Sequence, residues 1–190
     1  MNRIWSATSA ALLACLAAAP ATAEEDDEID CARLKTVTVQ NLDRYDYTFC
    51  AAHENAGRAS GAYGGNVSSS DEVMVAINRA TFIAMRTLTA GRYTFFAIDD
   101  YREFIGSILP SIPTRNWGDE RREGRFVLIP VEAKVADDSP YLSCFAFVVK
   151  GAPDALGPGY KAALGGLYCA ADELVPTDDE VAEFLADVHY

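Results

Sequence analysis

Alternating and periodic apolar residues divide most of the chain into candidate strands and helices. In residues 44–50, aromatic residues alternate with polar ones, a period of two that is typical of a half-buried strand. Residues 36–40 precede this stretch, and turn-forming residues lie between the two at 41–43. The pattern therefore predicts a hairpin over residues 36–50.

Residues 72–90 predict one long helix. A single helical face of this segment carries the apolar side chains of Val73, Ile77, Ala80, Ala84 and Leu88. Ser69 and Glu72 match the capping box that begins many helices, and Gly91 is placed to end the helix. Because further apolar residues fall outside the main face, we expect the helix to be buried on more than one side, as the centre of the core.

The rest of the chain predicts two shorter helices and further strands. A short helix with apolar residues at helical spacing follows Asp99 and Asp100, and Thr177 with Glu180 matches a second capping box. Four segments rich in β-forming residues predict strands: 93–98, 125–135, 141–150 and 161–171. We therefore predict an α+β fold, in which an antiparallel sheet of about five strands packs against one long central helix and two shorter helices.

The N-terminal residues predict an export signal. Arg3 supplies a positive charge, residues 4–19 are uncharged and mostly apolar, and residues 20–23 end in the small-x-small pattern that signal peptidase cleaves. A membrane-spanning helix is the alternative, but the apolar run is shorter than the roughly 20 residues that a span needs. Cys15 loosely matches the acylation site of lipoproteins, which makes an outer-surface lipoprotein a less favoured hypothesis.

These features predict three regions along the chain. Residues 1–23 form the signal peptide, and residues 24–30, which are nearly all acidic, form a flexible lead-in. Residues 31–190 form a single disulfide-stabilised domain, because their length suits one core. No apolar run after the signal is long enough to span a bilayer.

The acidic composition limits the partners that the chain can bind. The chain has 16 Lys and Arg residues against 28 Asp and Glu residues, a formal net charge of −12. Such a chain is repelled by DNA, RNA and anionic membrane surfaces, so we expect no nucleic-acid partner. Its composition, rich in Ala, Arg, Asp and Gly and poor in Lys, is typical of a GC-rich bacterium. We therefore expect a periplasmic or extracellular location.

Four cysteines remain beyond the predicted signal peptide. An even number in an exported chain indicates disulfides. Sequence order favours the pairs Cys31–Cys50 and Cys144–Cys169, since each pair lies on neighbouring elements. The chain has no C-x-x-C pair and only two His, so we expect no bound metal and no cofactor.

Three groups of residues are weak candidates for catalysis or anion binding. Asp99 and Asp100 can act as paired carboxylates, and His53 with Glu54 can act as an acid–base group. Helix capping and a solvated histidine explain the same residues without catalysis. The Gly- and Ser-rich residues 57–70 can offer backbone N–H groups to an anion, although a flexible loop is the alternative.

A cluster of arginines around a tryptophan is the strongest candidate for recognition. Its members are Arg115, Trp117, Arg121, Arg122 and Arg125. Arg and Trp are enriched at the energetic centres of protein interfaces. Asp119, Glu120 and Glu123 are interleaved with them, so local salt bridges are the competing interpretation.

The sequence therefore favours an exported, non-enzymatic binding or accessory protein whose partner is an unknown protein or a small ligand. The alternative is a small hydrolase that uses carboxylates. The two hypotheses differ in what they require of the fold. A hydrolase needs Asp99, Asp100, His53 and Glu54 around one pocket, whereas a binding protein does not.

Overall fold

A computed structural model describes residues 28–56, 69–91, 96–153, 159–170 and 174–190. The strands, numbered along the chain, are β1 (Thr38–Val39), β2 (Tyr47–Ala56), β3 (Ser69–Ile77), β4 (Thr81–Thr89), β5 (Thr114–Arg115), β6 (Arg121–Glu123), β7 (Phe126–Ala133), β8 (Leu142–Lys150), β9 (Ala162–Ala170) and β10 (Val188–His189). The helices are α1 (Tyr101–Ile108) and α2 (Asp178–Asp187). Short 3₁₀ turns lie at Cys31–Arg33 and Leu42–Arg44.

Eight of the strands form one antiparallel sheet in the order β2-β3-β4-β9-β8-β7-β5, with β6 also paired to β7. Strand β2 therefore lies at one edge, and the short strands β5 and β6 lie at the other. The remaining strands, β1 and β10, pair with each other in a separate two-stranded sheet. This pairing contradicts the predicted hairpin over residues 36–50, because β1 pairs with β10, near the C-terminus, and not with β2.

Each face of the main sheet is covered by one helix. We call the face under α1 the α1 face; there the helix packs Phe104, Ile105 and Ile108 on side chains such as Ala84 and Leu167. On the opposite α2 face, residues of α2 and of the segment before β1 pack on a second apolar cluster. In the sequence, a strand that is buried on both faces is a nearly continuous run of apolar residues, without the alternation of apolar and polar residues that a half-buried strand has.

The prediction of one long central helix is wrong, because residues 72–90 form most of the β3–β4 hairpin. Of the residues assigned to the helical face, Ile77, Ala84 and Leu88 belong to the cluster on the α1 face, whereas Ala80 is exposed in the turn between the strands. The other apolar residues of the segment, such as Met74 and Met85, belong to the cluster on the α2 face. The turn forms at Asn78, whose side-chain Oδ1 accepts a hydrogen bond of 2.9 Å from the backbone N–H of Ala80. The predicted α+β fold with about five strands is thereby corrected to a mostly β fold with short helices of eight and ten residues.

The supposed capping residue Glu72 has a different role. Its side chain points to the α2 face and is only 6% exposed. The carboxylate accepts hydrogen bonds from the backbone N–H groups of Lys35, Thr36 and Val37, at 2.7, 2.9 and 3.4 Å. Glu72 therefore fixes the segment before β1 against the sheet, and three polar backbone groups are satisfied by one buried charge.

Several other predictions are confirmed. The hairpin of β7 and β8 forms, and β9 pairs with β8. Helix α1 begins at the side chain of Asp100, and α2 begins with the complete capping box of Thr177 and Glu180. Half of the predicted strand at 93–98, residues 93–95, lies outside the described residues, and of the rest Phe96 forms an isolated bridge with Tyr160. The signal peptide, Cys15 and most of the acidic lead-in also lie outside the described residues.

Both predicted disulfides form, Cys31–Cys50 and Cys144–Cys169. They lie on opposite sides of the sheet, since Cys50 belongs to the cluster on the α2 face and the other pair to the cluster on the α1 face. Two disulfides indicate an oxidising compartment. Within the described ranges, no helix has the length and apolar character needed to cross a membrane.

Candidate functional site

Three charged or titratable side chains meet on the α1 face at one end of strands β2, β3 and β4. Asp71 of β3 lies opposite His53 of β2 in the strand register. The two side chains approach within 2.7 Å, from Asp71 Oδ1 to His53 Nδ1. Arg86 of β4 pairs through a terminal nitrogen with the other carboxylate oxygen. Strand pairing alone brings these residues together from distant positions in the sequence.

The carboxylate at the centre of this cluster is almost fully buried. The Asp71 side chain is 3% exposed, whereas those of His53 and Arg86 are 19% and 29% exposed. A buried carboxylate requires charged or hydrogen-bonding partners. Arg86 also donates a hydrogen bond of 3.4 Å to the backbone oxygen of Ile108, the last residue of α1. The cluster thus ties α1 to the sheet, and its carboxylate can orient the His53 imidazole for proton transfer.

The sequence suggested His53 as a candidate but not Asp71 or Arg86. Asp71 immediately precedes the predicted long helix and Arg86 lies within it, so only strand pairing places them beside His53. The available signal was the presence of single charged residues inside strongly apolar runs, since Arg86 interrupts the apolar stretch of β4. In a buried strand such a charge needs a partner nearby.

The candidate carboxylates Asp99 and Asp100 lie away from this cluster. Asp100 Oδ1 accepts hydrogen bonds from the backbone N–H groups of Arg102 and Glu103, at 2.7 and 3.2 Å. These residues are at the N-terminus of α1, whereas Arg86 contacts its C-terminus. An eight-residue helix is about 12 Å long, so the helix separates the two groups. Glu54 lies in β2, and its side chain is outside the part that the structure describes.

Three of the clustered arginines have partners on the α2 face of the sheet edge. Arg115 Nε lies 2.8 Å from Glu132 Oε2, and its guanidinium is 3.7 Å from the ring centre of Tyr141. The hydrogen bonds from Arg115 and from Asn116 lower the pKa of Glu132. Asn116 itself has a left-handed backbone conformation, with φ of 53°, so this contact also fixes the turn after β5.

Arg121 and Arg125, the other two of these three arginines, contact α2 and the residues that follow it. Arg121 lies 2.7 Å from Asp178 Oδ1 in the first turn of α2, and its hydrogen bond lowers the pKa of Asp178. Arg125 donates hydrogen bonds to the backbone oxygens of Tyr190 and Val188, at 2.7 and 2.9 Å. Each of these arginines therefore has a structural contact.

Trp117 and Arg122 lie on the other side of the same edge. Arg122 is opposite Val127, a member of the α1-face cluster, and its side chain is exposed. No ion pair of Arg122 occurs among the described residues. Trp117 is half-buried against the same cluster. The backbone of the next residue, Gly118, donates to Pro130 at 2.8 Å and accepts from Arg102 at 3.2 Å, so this part of the edge is held in place.

Two large apolar side chains are strongly exposed near this edge, Leu174 at 64% and Val175 at 69%. Val175 precedes Asp178 by three residues, a span of at most about 10 Å. Because Asp178 pairs with Arg121 of β6, the apolar pair lies close to the sheet edge. No motif or periodic pattern in the sequence singles out either residue. Their only signal was an apolar dipeptide in a short connection between two regular elements.

Comparison with known proteins adds no functional assignment. No protein-family model, curated protein or solved structure matches the chain. Among the residues that the structure describes, no group of three or more His, Cys, Asp or Glu side chains could hold a metal ion. Residues 57–68, the greater part of the Gly- and Ser-rich segment, lie outside the described ranges.

Proposed function

We propose that this chain is an exported, non-enzymatic binding protein of the periplasm or the extracellular space. Its partner is a protein that contacts the sheet edge at Trp117, Arg122, Leu174 and Val175, which we call the edge surface. The two disulfides and the predicted signal peptide support the location. The strongly negative charge of the chain supports a protein over a nucleic acid as the partner.

The observation that carries this proposal is that two independent features lie at the same edge of the sheet, one on each side of it. Trp117 and Arg122 offer an indole and an exposed guanidinium on a backbone that is fixed by hydrogen bonds. Leu174 and Val175 offer exposed apolar area beside Arg121 and Asp178. Aromatic residues, arginine and adjoining apolar area are typical of the energetic centre of protein interfaces.

The alternative of a carboxylate-dependent hydrolase has less support. That hypothesis requires Asp99 and Asp100 to share a pocket with His53, and about 12 Å of helix α1 lies between the two groups. The carboxylate of Asp100 is also engaged by two backbone N–H groups as a helix cap. The neighbour of His53 is Asp71, which is tied to Arg86.

The proposal is tested by affinity capture with matched variants. The chain without residues 1–23 is immobilised and incubated with envelope and culture-supernatant extracts of the source organism, and captured proteins are quantified by mass spectrometry. For a specific partner, we expect Trp117→Ala with Arg122→Ala to reduce capture by about tenfold or more, the effect of losing interface hot spots. Leu174→Ser is expected to weaken capture of the same partner.

Arg79→Ala is the control for the Trp117 and Arg122 replacements, because Arg79 is an exposed arginine in the β3–β4 turn, and strands β9, β8 and β7 lie between that hairpin and β6. The melting temperature of every variant is measured in parallel. Capture that is unchanged by the Trp117 and Arg122 replacements contradicts the proposed edge surface. A large fall in melting temperature in those variants shows instead that the segment has a structural role.

A further inference from the structure

The two disulfides differ in how their cysteines are brought together. Cys144 and Cys169 are directly opposite each other on the paired strands β8 and β9. Formation of the sheet therefore aligns them without further help. Cys50 is also in the sheet, on β2, but Cys31 is in a 3₁₀ turn outside it. An additional contact must hold the segment that carries Cys31 against the sheet.

Two contacts hold this segment there. The backbone N–H of Ile29, two residues before Cys31, donates a hydrogen bond of 2.9 Å to the carbonyl oxygen of Cys50. The buried carboxylate of Glu72 holds the residues that follow Cys31. Glu72 lies opposite Ala52, two residues after Cys50 and on the same face of β2. Its two oxygens accept hydrogen bonds from the backbone N–H groups of residues 35, 36 and 37. Cys31 precedes residue 35 by four residues, a span of at most about 14 Å. The Glu72 contact therefore confines Cys31 to the neighbourhood of Cys50.

The geometry of the sheet also limits which cysteines can meet. Cys50 contributes to the cluster on the α2 face, whereas Cys144 and Cys169 contribute to the cluster on the α1 face. Once the sheet has formed, Cys31 is the one cysteine in the described part of the chain that Cys50 can reach. The rate of this second disulfide then depends on how often the N-terminal segment is docked.

We propose that Glu72 is a positioning residue for formation of the Cys31–Cys50 disulfide after export. With oxidised glutathione as the oxidant, one cysteine thiolate attacks the glutathione disulfide and releases one glutathione thiolate. The other cysteine thiolate then attacks the mixed disulfide and releases the second. The two protein thiols lose two electrons and two protons, and one glutathione disulfide is reduced to two thiols. Glu72 accelerates the second step, the attack on the mixed disulfide, because it keeps the Cys31 and Cys50 sulfur atoms close to each other.

The test uses the chain without residues 1–23, reduced and unfolded, and then refolded in a glutathione redox buffer. Samples are alkylated at successive times, and both disulfides are quantified by peptide mass spectrometry. Glu72→Gln keeps the size of the side chain but has one acceptor oxygen in place of two. We expect the Cys31–Cys50 disulfide to form about tenfold more slowly in this variant, the effect of losing a charge-assisted hydrogen bond.

The Cys144–Cys169 disulfide is the internal control, and its rate is expected to be unchanged. Glu120→Gln, an exposed glutamate far from both disulfides in the sequence, is the matched control variant. A second readout is the glutathione ratio, the squared concentration of reduced glutathione divided by that of oxidised glutathione, at which half of the Cys31–Cys50 pair is oxidised. This ratio should fall by about the same factor, because two glutathione thiols are formed for each protein disulfide.

Each outcome decides the proposal. Selective slowing of Cys31–Cys50, with a matching shift of its glutathione ratio, supports the role of Glu72. Equal slowing of both disulfides overturns it, because Glu72 then supports the sheet as a whole. Unchanged rates of both also overturn it, since the segment then docks without the carboxylate.

Discussion

Asp71 on β3 forms an ion pair with Arg86 on the adjacent strand β4, inside the α1 face of the main sheet. These two strands are consecutive and antiparallel, so the pair forms as soon as the hairpin closes. The carboxylate of Asp71 also contacts His53 on β2. One buried charge therefore links three strands, and through Arg86 it reaches the end of α1.

We predict that removing the charge of Asp71 alone destabilises the fold more than removing the charges of both Asp71 and Arg86. Asp71→Asn leaves the Arg86 guanidinium without its counter-ion, and we expect the free energy of unfolding to fall by about 2–3 kcal/mol, less than for a fully buried pair because Arg86 is partly exposed. Asp71→Val with Arg86→Leu removes both charges and should recover most of the loss. Urea unfolding of the three proteins measures this difference, and a double variant weaker than the single one contradicts it.

The β3–β4 hairpin also shows why the fold class was predicted wrongly. The apolar residues of 72–90 occur at both odd and even positions, because both faces of these strands are buried. A short apolar run of this kind does not distinguish a buried strand from a helix by period alone. The decisive feature is the turn at Asn78, which divides the segment into two strands of nine residues each.

Helix α2, which buries one face, was predicted correctly. Helix α2 has a polar outer side and a complete capping box at Thr177 and Glu180, so both its period and its beginning are visible in the sequence. The disulfide pairing also followed from sequence order. Of the His53 cluster, only His53 itself was found. Its partners depend on the register of three strands, and register is set by long-range pairing that no local pattern reveals.

We predict that the capping box of α2 contributes to the loss of stability in acid. The backbone and side-chain hydrogen bonds from Thr177 lower the pKa of Glu180 from its ordinary value of 4.5. A carboxyl whose pKa is lower in the folded protein stabilises the fold above its unfolded pKa, and this contribution is lost as the pH falls through the folded pKa. Stability should therefore begin to decline as the pH falls below about 4.5.

Glu180→Gln tests this expectation, because glutamine can still accept the capping hydrogen bond but does not titrate. Near neutral pH, the variant should be slightly less stable than the native chain, and its stability should fall less steeply in acid. Thr177→Ala should lower the free energy of unfolding by about 1 kcal/mol at neutral pH. Urea unfolding across the acid range measures both effects. An identical acid decline in the native chain and in Glu180→Gln would contradict the assignment, and Glu120→Gln is the control for a generic loss of charge.

The close packing of α1 on β9 gives the last prediction. Gly165 lies under the helix, and a Cβ atom at this position would be 2.6 Å from Ile108 Cδ1, 2.9 Å from Phe104 Cε1 and 3.0 Å from Ile105 Cδ1. Because all three are buried side chains of α1, Gly165→Ala forces these side chains or the helix itself to shift. We expect the free energy of unfolding to fall by about 1–3 kcal/mol, the usual effect of overpacking a core. We also expect faster hydrogen exchange in α1.

Gly106→Ala is the matched control on the helix itself. A Cβ atom at Gly106 would have no neighbour within 4 Å, and alanine is favoured over glycine inside a helix by about 1 kcal/mol. This variant should therefore equal or exceed the native chain in stability. The contrast between the two substitutions isolates the contact between helix and sheet from the backbone preference of alanine. Equal stability of Gly165→Ala and Gly106→Ala would contradict the close packing of α1 on β9. It would also contradict the hydrogen bond from Arg86 to Ile108, because that bond depends on the same close approach.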